Sequence, residues 1–146
     1  FILGKITAYV DALRLGKTTV DDLTSYTQTA VEIEHIMPQT CADKELYGMN
    51  DEDFSVYINR LGNLTLLENS INKSIHNDVY ANKSKAYKQS KFYLTSSLSE
   101  LVNQGHDTAI NRTNSLLFAW SDWNKRSIEE RQEMLYRLSE MIWEMS

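Results

Sequence analysis

The run Val31-Glu-Ile-Glu-His-Ile-Met-Pro38 decides how this chain is read. Apolar and polar residues alternate over 31–36, the period-two pattern of a strand with one buried face. Pro38, the only proline, stops it. Further on, Arg60-Leu61-Gly62-Asn63 reads as a turn and Leu64-Thr65-Leu66-Leu67 as a second short strand. Asn69-Ser70 can start a helix through Ile71, Asn72 and Ile75. Strand, long loop, strand and helix therefore form one small β-containing element. In its loop, residues 39–50 are polar with room for one helical turn. Asn50 and Asp53 are placed to cap a short helix carrying Phe54, Tyr57 and Ile58.

Helices are expected on both sides. Ile2, Ile6, Tyr9, Val10 and Leu13 recur at helical spacing, and Gly16 ends that helix. A short helix over 20–26 follows, with Thr19 as its cap. After the β element the pattern predicts helices over 79–93, 96–103, 108–123 and 127–145. The last opens on Ser127-Ile128-Glu129-Glu130, which fits a capping box, and carries an apolar stripe of Ile128, Leu135, Leu138, Ile142 and Met145. Its Met and Trp residues read as packing. The fold class is α+β, a mostly helical domain with one embedded β element. The divisions are a helical lead-in over 1–30, a core over 31–92 and a helical remainder of the same domain over 93–146.

Composition bounds the function. At 146 residues, 42% hydrophobic and 24% charged, the chain suits one soluble globular domain. No apolar run approaches the roughly 20 residues of a membrane helix, and the start has no cleavage site of a secretory signal. It begins on Phe1, not Met, so a piece of a longer protein is expected. One cysteine, Cys41, makes neither an internal disulfide nor a cysteine-rich zinc site, and a cytoplasmic setting follows. The net charge of −5 argues mildly against nucleic acid. Its distribution does not: residues 60–91 hold the bases Arg60, Lys73, Lys83, Lys85, Lys88 and Lys91 against the acids Glu68 and Asp78. That segment reads either as a phosphate-facing surface or as a solvated helix face.

The polar residues that stand out lie on the β element. Glu34-His35 at a strand end sets a carboxylate beside a proton acceptor. Adjacent strand residues point to opposite faces, so both serve one site only if the chain leaves regular strand geometry there. Asn72 adds a neutral oxygen donor from the helix. A carboxylate, an amide oxygen and waters make a hard site suited to Mg²⁺. Bland alternatives stand beside each: a surface or core histidine, turn chemistry at Asn63, a helix cap at Asn72.

Taken together, residues 31–39 (VEIEHIMPQ), residues 58–67 (INRLGNLTLL), and Asn72 with Asn77, Tyr80, Lys83, Tyr87 and Ser90 resemble the C-terminal nuclease domain of GmrSD-type restriction enzymes. That family is similar to HNH nucleases, the His-Me finger or ββα-metal type. The resemblance is close over residues 31–90 and looser through the tryptophan-bearing helices to Trp143. It implies a metal-dependent DNA endonuclease acting in restriction or anti-phage defence. His35 takes the general-base position and Glu34 the preceding metal-ligand position. Asn63 takes the middle position, a brace that ties the loop and orients the histidine. Asn72 takes the last position, where members use His or Asn as ligand. The set is thus H-N-N, which favours one Mg²⁺ or Mn²⁺ over zinc. Lys83 matches a family lysine expected to meet phosphate, with Lys73 and Arg60 as further phosphate contacts and Asn77 in support. His76 follows Asn72 by four residues on one helix face, a secondary ligand candidate although the family usually lacks a histidine there. Relatives resemble type IV systems in which an N-terminal NTPase-like region senses modified phage DNA. The competing readings are an inactive nuclease-like module that binds protein or nucleic acid, and an RNase using the same chemistry.

Overall fold

The computed structural model describes residues 1–20, 22–75 and 77–144. Its elements are helices α1 (Ile2–Arg14) and α2 (Thr24–Thr27), strand β1 (Val31–His35), a 3₁₀ turn (Lys44–Tyr47), helix α3 (Asp51–Tyr57), a second 3₁₀ turn (Leu61–Asn63), strand β2 (Leu64–Glu68), and helices α4 (Asn69–Ile75), α5 (Tyr80–Tyr87), α6 (Tyr93–Ser96), α7 (Ala109–Asn114) and α8 (Lys125–Glu144). β1 and β2 pair antiparallel, with Glu34 opposite Thr65 and His35 opposite Leu64. The class is α+β. A two-stranded sheet is marginal alone in water, so its stability comes from the helices around it. One buried cluster runs from Leu3, Ile6 and Val10 of α1 through Ile36, Met37 and Leu67 to Ile128, Leu135 and Leu138 of α8.

Local chemistry explains most boundaries. α1 ends as expected at Gly16, whose φ of 74° is left-handed. Lys17 N–H donates to Ala12 O at 2.8 Å and Gly16 N–H to Leu13 O at 3.0 Å, closing the last turn. The Asn50 side chain accepts from Asp53 N–H at 2.8 Å and starts α3. α8 starts at Lys125, two residues earlier than Ser127. Asn124 is its cap, accepting from Ser127 N–H at 3.1 Å, while Ser127 Oγ accepts in return from Asn124 N–H at 3.3 Å. On α8, Arg131 and Met134 join the buried stripe, and Met145 lies outside the described residues.

Other expectations fail for reasons of bonding. The helix expected over 20–26 forms only at Thr24–Thr27, because the Asp22 carboxylate takes Thr24 N–H at 2.8 Å and holds a turn ahead of it. α5 stops at Tyr87 instead of 93. Beyond it, Ser90 Oγ accepts from Phe92 N–H at 3.1 Å, a local bond that competes with the helix. No helix forms over 97–103. There Leu98 O accepts from Trp120 N–H at 2.9 Å, so its bond runs to a distant segment. The helix expected over 108–123 is confined to α7, capped by Thr108.

The strand's phase is the larger correction. Ile33 is 58% exposed while Glu34 is only 4% exposed. The apolar side chains of β1 do not form its buried face. Burial belongs instead to the face carrying Glu34 and Thr65, and the apolar weight falls just past the strand, where Ile36 and Met37 are fully buried.

α8 lies directly on the 61–63 turn. Gly62 is there for close approach, not for a left-handed turn: a Cβ on it would sit 2.2 Å from Ile128 O and 2.9 Å from Gln132 N. Its N–H donates to Gln132 Oε1 at 2.6 Å. Gly62→Ala must push the α8 backbone off the turn. The expected cost is about 1–3 kcal/mol, the range for overpacking, read as a lowered urea midpoint. An unchanged midpoint would show that the helix and turn separate freely.

Candidate active site

His35 ends β1, half-buried. Its ring Nε2 lies 2.9 Å from Asn59 Oδ1, from the segment that leaves α3. Its carbonyl oxygen accepts from Lys83 Nζ at 2.9 Å. The chain immediately after it is pinned by Asn63. Ile36 N–H donates to Asn63 O at 2.9 Å. Met37 N–H donates to Asn63 Oδ1 at 2.7 Å, and Asn63 Nδ2 donates to Met37 O at 3.1 Å. Asn63 Nδ2 also donates to Ile58 O at 2.9 Å. Trp123 Nε1–H completes the set, donating to Asn63 Oδ1 at 3.0 Å. Asn63 is fully buried, and both its oxygen and its amino group are satisfied. It ties the loop after β1 to the exit of α3, and none of its side-chain hydrogen bonds reaches the His35 ring. The side chain that meets the imidazole is Asn59.

Arg131 of α8 supports the same turn. Its Nη1 donates to Gly62 O at 3.0 Å and Leu64 O at 2.6 Å. It is fully buried, and burial pulls the guanidinium down to about 10.

Glu34 and Lys83 form a buried pair, Nζ to Oε1 at 3.3 Å. Burial pushes the Glu34 carboxyl up, opposed by the Lys83 charge. Burial pulls the Lys83 ammonium down, opposed by Glu34. Lys83 is thus not the surface phosphate contact the sequence suggests. Its charge is spent inside, tying α5 to the end of β1. Glu34 Oε2 is buried with no hydrogen-bond partner among the described residues.

Asn72, on α4, donates from Nδ2 to Glu32 Oε2 at 2.6 Å. Glu32 and Glu34 alternate onto one face of β1, so Asn72 and the orphaned Glu34 oxygen share a face without touching. Among the described residues no three His, Cys, Asp or Glu side chains gather as a metal cluster. The donors present are carboxylate and amide oxygens. By the same alternation His35 lies on the opposite face of a strand that stays regular to its end, so the contacts among the described residues do not bring Glu34, His35 and Asn72 onto one site. The oxygen donors of Glu34 and Asn72 are of the kind a hard divalent cation takes.

Residues 2–138 match the family model of the GmrSD restriction endonucleases, C-terminal domain. The chain belongs to that family. No curated protein and no solved structure matches it. Against the GmrSD pattern, the remaining positions divide clearly. Arg60, beside Asn59 in the chain, is half-buried with its guanidinium 4.0 Å from the Tyr57 ring centre. Lys73 is exposed on α4, and Asn77 is exposed in the turn after it. His76 lies outside the described residues. Lys88 is held by Glu100 at 3.1 Å.

Asn59, Trp123 and Arg131 are the participants that sequence reading missed. Asn59 had one available signal: it lies four residues before Asn63, at the exit of a short helix. Trp123 and Arg131 carry no local signal for this role, since the groups they bond lie 60 or more residues away in the chain.

The Glu34–Lys83 pair sets a stability test. Lys83→Met leaves a buried carboxylate uncompensated, and the expected loss is about 3–5 kcal/mol. Glu34→Gln with Lys83→Met together should recover most of it, measured by urea unfolding as a double-mutant cycle. Glu34 also gives a pH signature. Its folded pKa is raised, so the folded state holds the proton more tightly. Its stabilising contribution is full below the ordinary glutamate range and is lost as pH rises through the folded value. Glu34→Gln should flatten that decline; an identical slope in the variant would refute the assignment.

Proposed function

We propose that this domain hydrolyses DNA phosphodiester bonds as a ββα-metal (HNH) endonuclease, with His35 as the general base. The observation that carries the reading is the way His35 is held. Its ring meets Asn59, its carbonyl meets Lys83, and the next two residues are clamped by Asn63. Such fixation is what a base needs if it is to meet its proton in one geometry. Membership of a restriction endonuclease family supplies the reaction class.

Phosphodiester hydrolysis needs an activated water, relief of charge on the phosphate and help for the leaving oxygen. A neutral imidazole can take the water's proton near neutral pH, worth roughly 10²–10⁴-fold. Glu34 and Asn72 are the residues that would hold one divalent ion, Mg²⁺ or Mn²⁺, whose chemistry when bound is to stabilise charge on the phosphate and the leaving oxygen. Arg60, next in the chain to Asn59, is the basic side chain nearest in sequence to the His35 partner, and we assign it a phosphate contact. Lys73 offers a second on the exposed face of α4. Asn63 acts here as a positioning residue, since it is buried away from any substrate.

The same reading makes modified phage DNA the target, delivered by an N-terminal NTPase-like sensor region, in the cytoplasm. Among the described residues no helix is long and apolar enough to cross a membrane.

His35→Ala should abolish nicking of supercoiled plasmid in Mg²⁺ or Mn²⁺, a loss of at least about 10²-fold, while a gel-shift assay still detects DNA binding. Full nicking by the variant would sink the assignment of the base. Chelation by EDTA should stop the wild-type reaction, and cleavage that continues in EDTA would refute a metal-dependent route. Running matched DNA and RNA substrates separates a DNase from an RNase.

A further inference from the structure

We infer that Asn59 is a positioning residue that fixes the tautomer of His35 and so selects Nδ1 as the atom that accepts the proton. The inference deepens the proposed function and rests on its assignment of His35 as base.

The argument starts from donor and acceptor chemistry. An amide oxygen can only accept a hydrogen bond. Asn59 Oδ1 lies 2.9 Å from His35 Nε2, so Nε2 must carry the hydrogen and donate it. In a neutral imidazole the other nitrogen then bears the lone pair. Nδ1 is left as the acceptor. The opposite tautomer would set two acceptors against each other at that distance and lose the bond.

The bond is held from both ends by one buried group. The Asn63 side chain clamps Met37, two residues beyond His35, and it also takes Ile58 O, one residue before Asn59. Arg60 N–H donates to Tyr57 O at 3.1 Å and Asn63 N–H to Arg60 O at 2.8 Å, fixing the backbone on the other side of Asn59. The middle asparagine therefore does orient the histidine, but through Asn59. Asn59 itself is exposed. A side chain there contributes little to core packing, so substitution separates its effect on His35 from any effect on folding.

The test is nitrogen NMR of the protein with ¹⁵N-labelled histidine, run beside plasmid nicking. In the wild type, His35 should show a protonated Nε2 and an unprotonated Nδ1 at a pH where the ring is neutral. Asn59→Ala should lose the protected Nε2–H signal and move both ring shifts toward tautomer averaging. It should cut kcat for nicking by up to about 10²-fold, the scale of a misplaced catalytic group, with KM for plasmid little changed. Asn59→Asp retains an acceptor and should restore the Nε2-protonated form, whereas Asn59→Leu should not. A wild-type His35 protonated on Nδ1 would overturn the inference. So would ring shifts unmoved in Asn59→Ala, or Asn59→Leu nicking at the wild-type rate. The tautomer is read without any cleavage, so failure here differs from failure of the nuclease reading, which shows as nicking by His35→Ala.

Discussion

The structure depends on one buried amide. Asn63 has no exposure to solvent, and its side chain satisfies Met37, Ile58 and Trp123 at once. A buried polar group is costly unless every bond is made. Here each bond joins a different part of the chain: the loop after β1, the exit of α3 and the segment before α8. The sheet, the turn after α3 that supplies Asn59 and the segment leading into the long C-terminal helix are therefore all tied to a single residue. Removing it would leave backbone groups of Met37 and Ile58 unpaired as well as freeing the segments.

Around that point the domain places two buried cations with different duties. Lys83 meets a carboxylate and the carbonyl oxygen of His35. Arg131 meets carbonyl oxygens of the 61–64 turn. Neither charge is available to a phosphate. Both hold backbone oxygens next to the site, and both come from helices that lie later in the chain. The C-terminal helices thus belong to the machinery of the β element. A two-stranded sheet with a short helix could not hold an imidazole steady, and α8 resting on Gly62 supplies the missing rigidity.

Electrostatics near His35 follow from the same packing. Glu34 is drawn inward beside Lys83, and one of its oxygens is left unsatisfied. Glu32 is left outside, engaged with Asn72. The two acids stand two residues apart on one strand face, yet burial separates their chemistry. The inner carboxylate keeps one oxygen without a hydrogen-bond partner, while the outer one takes the Asn72 amide.

Local pattern alone identified much of this domain. The strands at 31 and 64, the caps at Asn50 and Gly16 and the α8 stripe are all set by neighbours within a few residues, and such short-range rules are legible in a sequence. Helix lengths after residue 79 were not, because Ser90 and Leu98 make bonds that compete with helix continuation. The burial of Glu34 in place of Ile33, the withdrawal of Lys83 from the surface, the close approach at Gly62 and the contact of Asn59 with His35 were decided only in three dimensions. Each rests on a partner from another segment, 24 residues away for His35–Asn59 and 49 for Glu34–Lys83. A sequence states which groups can bond; which of the distant ones do so is settled when packing brings them within hydrogen-bond reach and takes the water away.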